Sequence, residues 1–274
     1  LPFPNLSERK QMDLGLAGKV AIVTGSSDGI GYAVARSLAL EGARLVLCAR
    51  RAAVLAEARE NIVKETKAEV LAVTCDVQCL GDVRNLIKET VQRFGIIHIL
   101  VNNAGSVPSV RFADVDDAQW YQMLEGKLFG YLRMTREVVP HMLKGGWGRV
   151  VNVAGTAGWE PSNTAIAVGL NNAAVINWTK SLSREYAAHG ILVTTVAPGS
   201  IETPRQVRNR EREANIAGKS YDELRNARVR DIPMQRLGRP EEVASVVTFL
   251  ASECSSYMTG ACVTVDGGVM RGIG

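Results

Sequence analysis

Short apolar runs alternate with longer amphipathic stretches along most of the chain. Residues 19–24 (KVAIVT) form a β-branched run ending at Gly25, and residues 30–41 then carry apolar positions at helical spacing. Residues 44–48 predict a second strand, followed by an Ala- and Glu-rich helix over 52–66. A third strand over 69–74 and a third helix over 83–94 repeat the pair. Residues 97–102, 149–153, 191–197 and 262–265 supply four more strands, and long helices over 118–144 and 171–189 precede the middle two. Strands that are apolar throughout, alternating with helices, predict an α/β fold: a doubly wound parallel sheet of about seven strands with helices on both faces. One segment, 201–239, has no strand but two charged helical stretches, around 206–217 and 221–230. It reads as a helical lid inserted within a single domain spanning 1–274, at the carboxyl edge of the sheet where open α/β folds bind ligands.

Composition narrows the function classes. The chain has 274 residues, 46% apolar and 22% charged, which allows one substantial core and excludes low-complexity disorder. No apolar run approaches the roughly 20 residues of a membrane span, and residues 1–18 lack the pattern of a secretory signal, so a cytoplasmic protein with no membrane partner is expected. The net charge of +4 is spread between both signs, which argues against nucleic acid. Five cysteines (Cys48, Cys75, Cys79, Cys254, Cys262) form no ligand array, and an odd number cannot pair completely. Cys48, Cys75 and Cys262 fall in strand-like runs as buried thiols, and three scattered histidines predict no metal site.

Candidate chemistry begins at the first strand–helix turn, Thr24-Gly25-Ser26-Ser27-Asp28-Gly29-Ile30-Gly31. Glycines there let the backbone approach a pyrophosphate, and the helix N-terminus adds partial positive charge. This T-G-x-x-x-G-x-G spacing resembles that of the short-chain dehydrogenase/reductase family, and the resemblance covers nearly all of 14–270. It implies a Rossmann-type sheet and a dinucleotide held by Gly25, Ser27, Asp28, Gly29, Ile30 and Gly31. It places Asp76, with Val77 beside it, against the adenine. Asn103, Ala104 and Gly105 match the family's N-N-A-G segment, and Pro198, Gly199, Ile201 and Thr203 match the segment embracing the nicotinamide. Cofactor choice is read at the end of the second strand. Ala49 is followed by Arg50 and Arg51, with no carboxylate to hold a ribose 2′-OH, so NADP is expected over NAD. Asp28 runs against this, because many NADP-preferring members place a basic residue there.

Family members that reduce carbonyls use a Ser, a Tyr and a Lys in a Y-x-x-x-K arrangement, with an Asn on an earlier helix. Aligned on those motifs, the Ser position falls at Gly155, the Tyr at Val168, the Lys at Asn172 and the Asn at Lys127. Lys and Asn are exchanged between two neighbouring helices. Lys127 is therefore expected to contact the nicotinamide ribose or substrate and Asn172 to orient it. A buried Lys beside a cationic nicotinamide would have a lowered pKa suited to proton exchange. Weaker candidates are Thr156, Trp159, Glu160, Ser162, Asn163 and Thr164 in the following loop, and Arg205, Arg208 and Tyr221 in the lid. Three readings stay open at this point. One is an NADP-dependent oxidoreductase acting on a small carbonyl or alcohol with a rebuilt proton-transfer group. The others are a non-redox lyase or isomerase in which Lys127 is a base or Schiff-base former, and a non-catalytic NADP-binding protein. The resemblance also implies a homodimer or homotetramer built through the two long helices.

Overall fold

A computed structural model of the chain describes residues 12–272 apart from Ser106, Ser109, Ser162 and Thr164. Seven strands lie in one parallel sheet: β1 (Val20–Thr24), β2 (Arg44–Ala49), β3 (Val70–Thr74), β4 (Ile99–Asn102), β5 (Gly148–Val153), β6 (Ile191–Pro198) and β7 (Cys262–Val265). Their order is β3-β2-β1-β4-β5-β6-β7. The chain winds outward to β3 and returns to the other side of β1, so a crevice opens where β1 and β4 diverge at their carboxyl ends.

Period-2 alternation feeds a core on each face of this sheet. Ala21, Val23, Leu45, Leu47, Ile99 and Val101 point to one side. They pack against α1 (Gly29–Leu40), α2 (Ala52–Thr66) and α9 (Pro240–Leu250). Val20, Ile22, Val46, Leu100 and Val150 point to the other, against α3 (Leu80–Phe94) and α5 (Gly130–Gly145). Burial on both faces is why these strands are apolar throughout rather than alternating.

Three elements depart from the sequence expectation. The helix expected over 118–144 is broken into α4 (Asp117–Leu124) and α5 by a π-helical turn, Glu125–Phe129. Gly130, just after it, packs so tightly that a Cβ would lie 2.8 Å from Val77 Cγ2. The Leu128 N–H is met by Asn171 Oδ1 at 3.4 Å. The second long helix, α6 (Ile166–Tyr186), starts earlier than expected and ends in a 3-10 turn, Ala187–His189. The helix α9 was not expected, although Pro240 at its first turn and Glu241 and Glu242 behind it are ordinary start signals. Cys75, buried as expected, follows β3 rather than lying within it; Cys48 is buried in β2, and Cys262, in β7, is only partly buried.

The excursion after β6 folds as α7 (Pro204–Ala217) and α8 (Tyr221–Arg230). Thr203 caps α7 by accepting from the Gln206 N–H, and Ser220 and Glu223 form a capping box on α8. Its two ends are tied by a backbone bridge between Ile201 and Gly238, with the Glu202 N–H donating to the Gly238 carbonyl at 2.8 Å. Both helices therefore rise from one stem at the carboxyl edge of the sheet. Among the described residues, no group of three or more His, Cys, Asp or Glu side chains is arranged to hold a metal, and no helix is long and apolar enough to cross a membrane.

Candidate active site

The turn after β1 is built around backbone demands. Gly25 and Gly29 adopt φ of +66° and +58°, where a side chain is strained. Gly31 is needed for space: a Cβ there would lie 2.2 Å from the Gly25 carbonyl oxygen and 2.5 Å from Asn103 Nδ2. The turn is tied to the neighbouring strand by Thr24, whose Oγ1 donates to the Val101 carbonyl (3.2 Å). The same oxygen accepts from the N–H groups of Asn103 and Ala104 (both 2.9 Å). Asn103 donates its amide to the carbonyls of Thr24 (3.0 Å) and Gly25 (3.2 Å), so its side chain braces the turn. Substituting Gly31→Ala forces backbone apart here. It should cost roughly 1–3 kcal/mol of stability, as overpacking does. Dinucleotide affinity should fall by about ten-fold or more, measurable by titration alongside a urea midpoint.

A cleft of about 380 Å³ opens above this turn. Gly25, Ser27, Asp28, Gly29 and Ile30 form one wall and Arg50 and Arg51 the end of β2, while Asp76 and Val77 lie beyond β3. Asn103, Ala104, Gly105 and Thr203 complete the site residues expected from sequence that line it. Gly31 lies beneath the turn. Lys127, Asn172, Pro198, Gly199 and Ile201 are not among its lining. Gly199 instead packs on Asp266, and Ile201 is buried in the stem. Sequence reading does not place Cys48, Cys75, Gln78 or Gly126 here, and Arg205 and Arg208, weaker candidates in the lid, also line this cleft. The rim is charged. Arg51 Nη2 lies 2.9 Å and Arg208 Nη2 3.8 Å from Asp28 Oδ2, and Arg50 Nη1 lies 4.0 Å from Asp76 Oδ2.

Lys127 sits in the π turn between α4 and α5. Its Nζ donates to Asn172 Oδ1 at 2.7 Å and to the Ala154 carbonyl at 3.0 Å. Two glycines shape this contact. A Cβ at Gly105 would crowd the lysine stem at 3.0 Å, and a Cβ at Gly155 would lie 2.8 Å from Asn172 Nδ2. Both acceptors are neutral oxygens, so no carboxylate balances the charge taken out of water. Burial, with Arg205 adding repulsion, lowers the Lys127 pKa to about 7. Arg205 is held nearby, Nη1 donating to the Gly105 carbonyl at 2.8 Å. Tyr131, whose ring centroid is 5.7 Å from Lys127 Nζ, is a poor proton exchanger. Its hydroxyl donates to the Val153 carbonyl and burial pushes its pKa upward.

The weaker candidates are scattered. Glu160 accepts from the Arg271 N–H, Thr156 opens a 3-10 turn, and Trp159 follows it, half-buried. Asn163 is exposed, Tyr221 packs under the Arg210 guanidinium, and Ser162 and Thr164 lie outside the described residues.

The family description "Enoyl-(Acyl carrier protein) reductase" matches residues 25–270, from the glycine turn to beyond β7. The chain belongs to the short-chain dehydrogenase/reductase family. The 3-oxoacyl-acyl-carrier-protein reductase FabG of Thermotoga maritima is 34% identical over 260 residues, covering 93% of this chain and 99% of that one. The crystal structure of L-sorbose reductase from Gluconobacter frateurii, complexed with NADPH and L-sorbose, superposes with a TM-score of 0.92 at 32% identity, covering 96% of this chain and all of that one. An actinorhodin polyketide ketoreductase with NADPH gives 0.89 at 33% identity, covering 93% and 98%. Reductases named for 3-oxoacyl-acyl-carrier-protein, L-sorbose and a polyketide thus each resemble this chain over nearly all of its length.

Proposed function

We propose that this chain is an NADP(H)-dependent oxidoreductase acting on a small carbonyl or alcohol, with Lys127 in place of the Tyr-Lys pair as its proton-transfer group. The observation that carries this reading is the 2.7 Å contact between Lys127 Nζ and Asn172 Oδ1. It supports a cation reaching the site from one helix where the family resemblance expects it from the other.

The residues present fit the dinucleotide. Gly25 and Gly31 let the turn close on Ala104 and Asn103 with its backbone bare of side chains toward a pyrophosphate, and the β2 end offers Arg50 and Arg51 with no carboxylate beside Ala49. The turn residues would hold the phosphates, Asp76 and Val77 the adenine, and Asn103 to Gly105 with Pro198 to Thr203 the nicotinamide end. When bound, the dinucleotide supplies or accepts hydride. Lys127 handles the accompanying proton. For reduction its N–H bond breaks as the substrate oxygen gains a proton, and the neutral amine is recharged from solvent. For oxidation the neutral amine takes the hydroxyl proton. A pKa near 7 makes both directions accessible near neutrality. Residues 201–239 serve as the lid over the carboxyl edge, excluding water from the reacting pair. Phe129, just before α5, and Leu143, on it, are exposed and suit association into a homodimer or homotetramer.

Label transfer tests the reading. NADPH deuterated at the nicotinamide C4 is supplied with a mixed pool of ketones, aldehydes and imines, and products are sorted by mass. Deuterium in an alcohol product is the expected result. Tight NADPH binding with no label moved to any product would remove hydride transfer and favour the lyase, isomerase or binding-protein readings.

A further inference from the structure

We infer that Arg208, carried by α7, is a specificity-determining residue for the ribose 2′-phosphate and closes a two-sided grip with Arg51. This rests on the NADP(H) reading above. Asp28 occupies the N-cap of α1, yet its side chain makes no capping hydrogen bond. Its carboxylate instead meets two guanidiniums carried by different elements. Arg51, between β2 and α2, reaches Oδ2 at 2.9 Å, and Arg208 approaches the same oxygen at 3.8 Å. Arg51, Arg208 and Asp28 all line the cleft, and both arginines remain about half exposed, at 56% and 51% of the side chain. A rim with Arg50, Arg51 and Arg208 against Asp28 and Asp76 is left with one net positive charge. A phosphate monoester near −2 competes for both guanidiniums better than a single carboxylate does. Asp28 is thus the internal anion holding the grip in shape, and the phosphate is the stronger ligand for it.

The same helix is anchored at the other end of the cleft. Arg205, one turn before Arg208, donates to the Gly105 carbonyl at 2.8 Å. One face of α7 therefore touches the Gly105 end of the cleft and the Arg51 rim at once. Binding of the 2′-phosphate adds a charged contact that fixes α7 over the cleft, so discrimination between NADP and NAD and the ordering of α7 become one event. Position 28 itself holds a carboxylate, and the cation facing it arrives from a different element, 180 residues further along the chain.

The test uses the full chain and two fragments of the cofactor, 2′,5′-ADP and 5′-AMP, titrated by calorimetry. The wild type is expected to prefer 2′,5′-ADP. Arg208→Gln should weaken 2′,5′-ADP by about ten-fold, the loss of one charge-assisted contact, and leave AMP unchanged. Asp28→Asn should strengthen 2′,5′-ADP, and Arg212→Gln on the exposed surface of α7 should change neither ligand. Arg208→Lys, which keeps the charge and loses the planar fork, should fall between and guards against a folding defect in the Gln variant. An Arg208→Gln variant that keeps full affinity for 2′,5′-ADP, or loses equally for both fragments, overturns the assignment of Arg208. A wild type with no preference for 2′,5′-ADP over AMP overturns the NADP(H) reading itself, and is seen before any variant is made.

Discussion

Replacing Lys127 by methionine is expected to lower kcat by about 10²- to 10⁴-fold while dinucleotide affinity changes only a few-fold. Methionine keeps the stem that packs on Gly105 and loses the ammonium that meets Asn172 and Ala154. The wild-type pH profile gives the chemical role away. With Lys127 titrating at about 7, carbonyl reduction needs the protonated amine and slows as pH rises through that value. Alcohol oxidation needs the neutral amine and accelerates over the same range. A profile flat between pH 6 and 8 in both directions would deny the lysine its proton-transfer role.

The lowered pKa has a second consequence that does not depend on turnover. Between about 7 and the ordinary lysine value of 10.5, the unfolded chain holds a proton at Lys127 that the folded chain has released. Stability therefore rises with pH across that window, since the unfolded state binds more protons there. Urea midpoints for wild type and Lys127→Met should diverge with rising pH in favour of the wild type, with other groups cancelling in the difference. Parallel curves would mean the amine is charged in both states.

How much of this was legible in sequence depends on where each constraint originates. Apolar runs bounded by turns located β2, β7 and α2 to within a residue, and in β2 burial on both sheet faces leaves little freedom in composition. The π turn carrying Lys127 was not legible. Residues 125–129 contain no proline, and the break is imposed by Gly130 closing on Val77 and Asn171 receiving the Leu128 N–H, both tertiary contacts. The start of α9 was written in Pro240, Glu241 and Glu242 and was passed over. At the site, the glycine turn was readable because backbone geometry demands it. The side-chain directions were not. Asn103 faces the turn it braces, and Arg208 shares Asp28 with Arg51 only because α7 comes back over α1's first turn. Lys127 and Asn172, 45 residues apart, could be paired only through the family resemblance.

That pair provides the sharpest discrimination between chemistry and bracing. Asn172→Lys alone places a second ammonium where Lys127 Nζ now finds an amide oxygen at 2.7 Å. Two cations at about 4 Å repel by several kcal/mol at an effective dielectric near 20. The single variant should therefore lose kcat by about 10²-fold or more and lose stability as well. The absent Cβ at Gly155, which would otherwise lie 2.8 Å from the residue-172 side chain, leaves space for the longer residue to turn. The exchanged double variant, Lys127→Asn with Asn172→Lys, restores one cation and one amide with donor and acceptor transposed. Its stability should recover by roughly 2 kcal/mol over the sum of the singles, the coupling expected of residues in contact. Recovery of kcat by at least about ten-fold alongside it would place the charge itself, from either helix, in the reaction. Recovery of stability with kcat still at the level of Lys127→Met would make the contact a brace between π turn and α6, and leave proton transfer to another group.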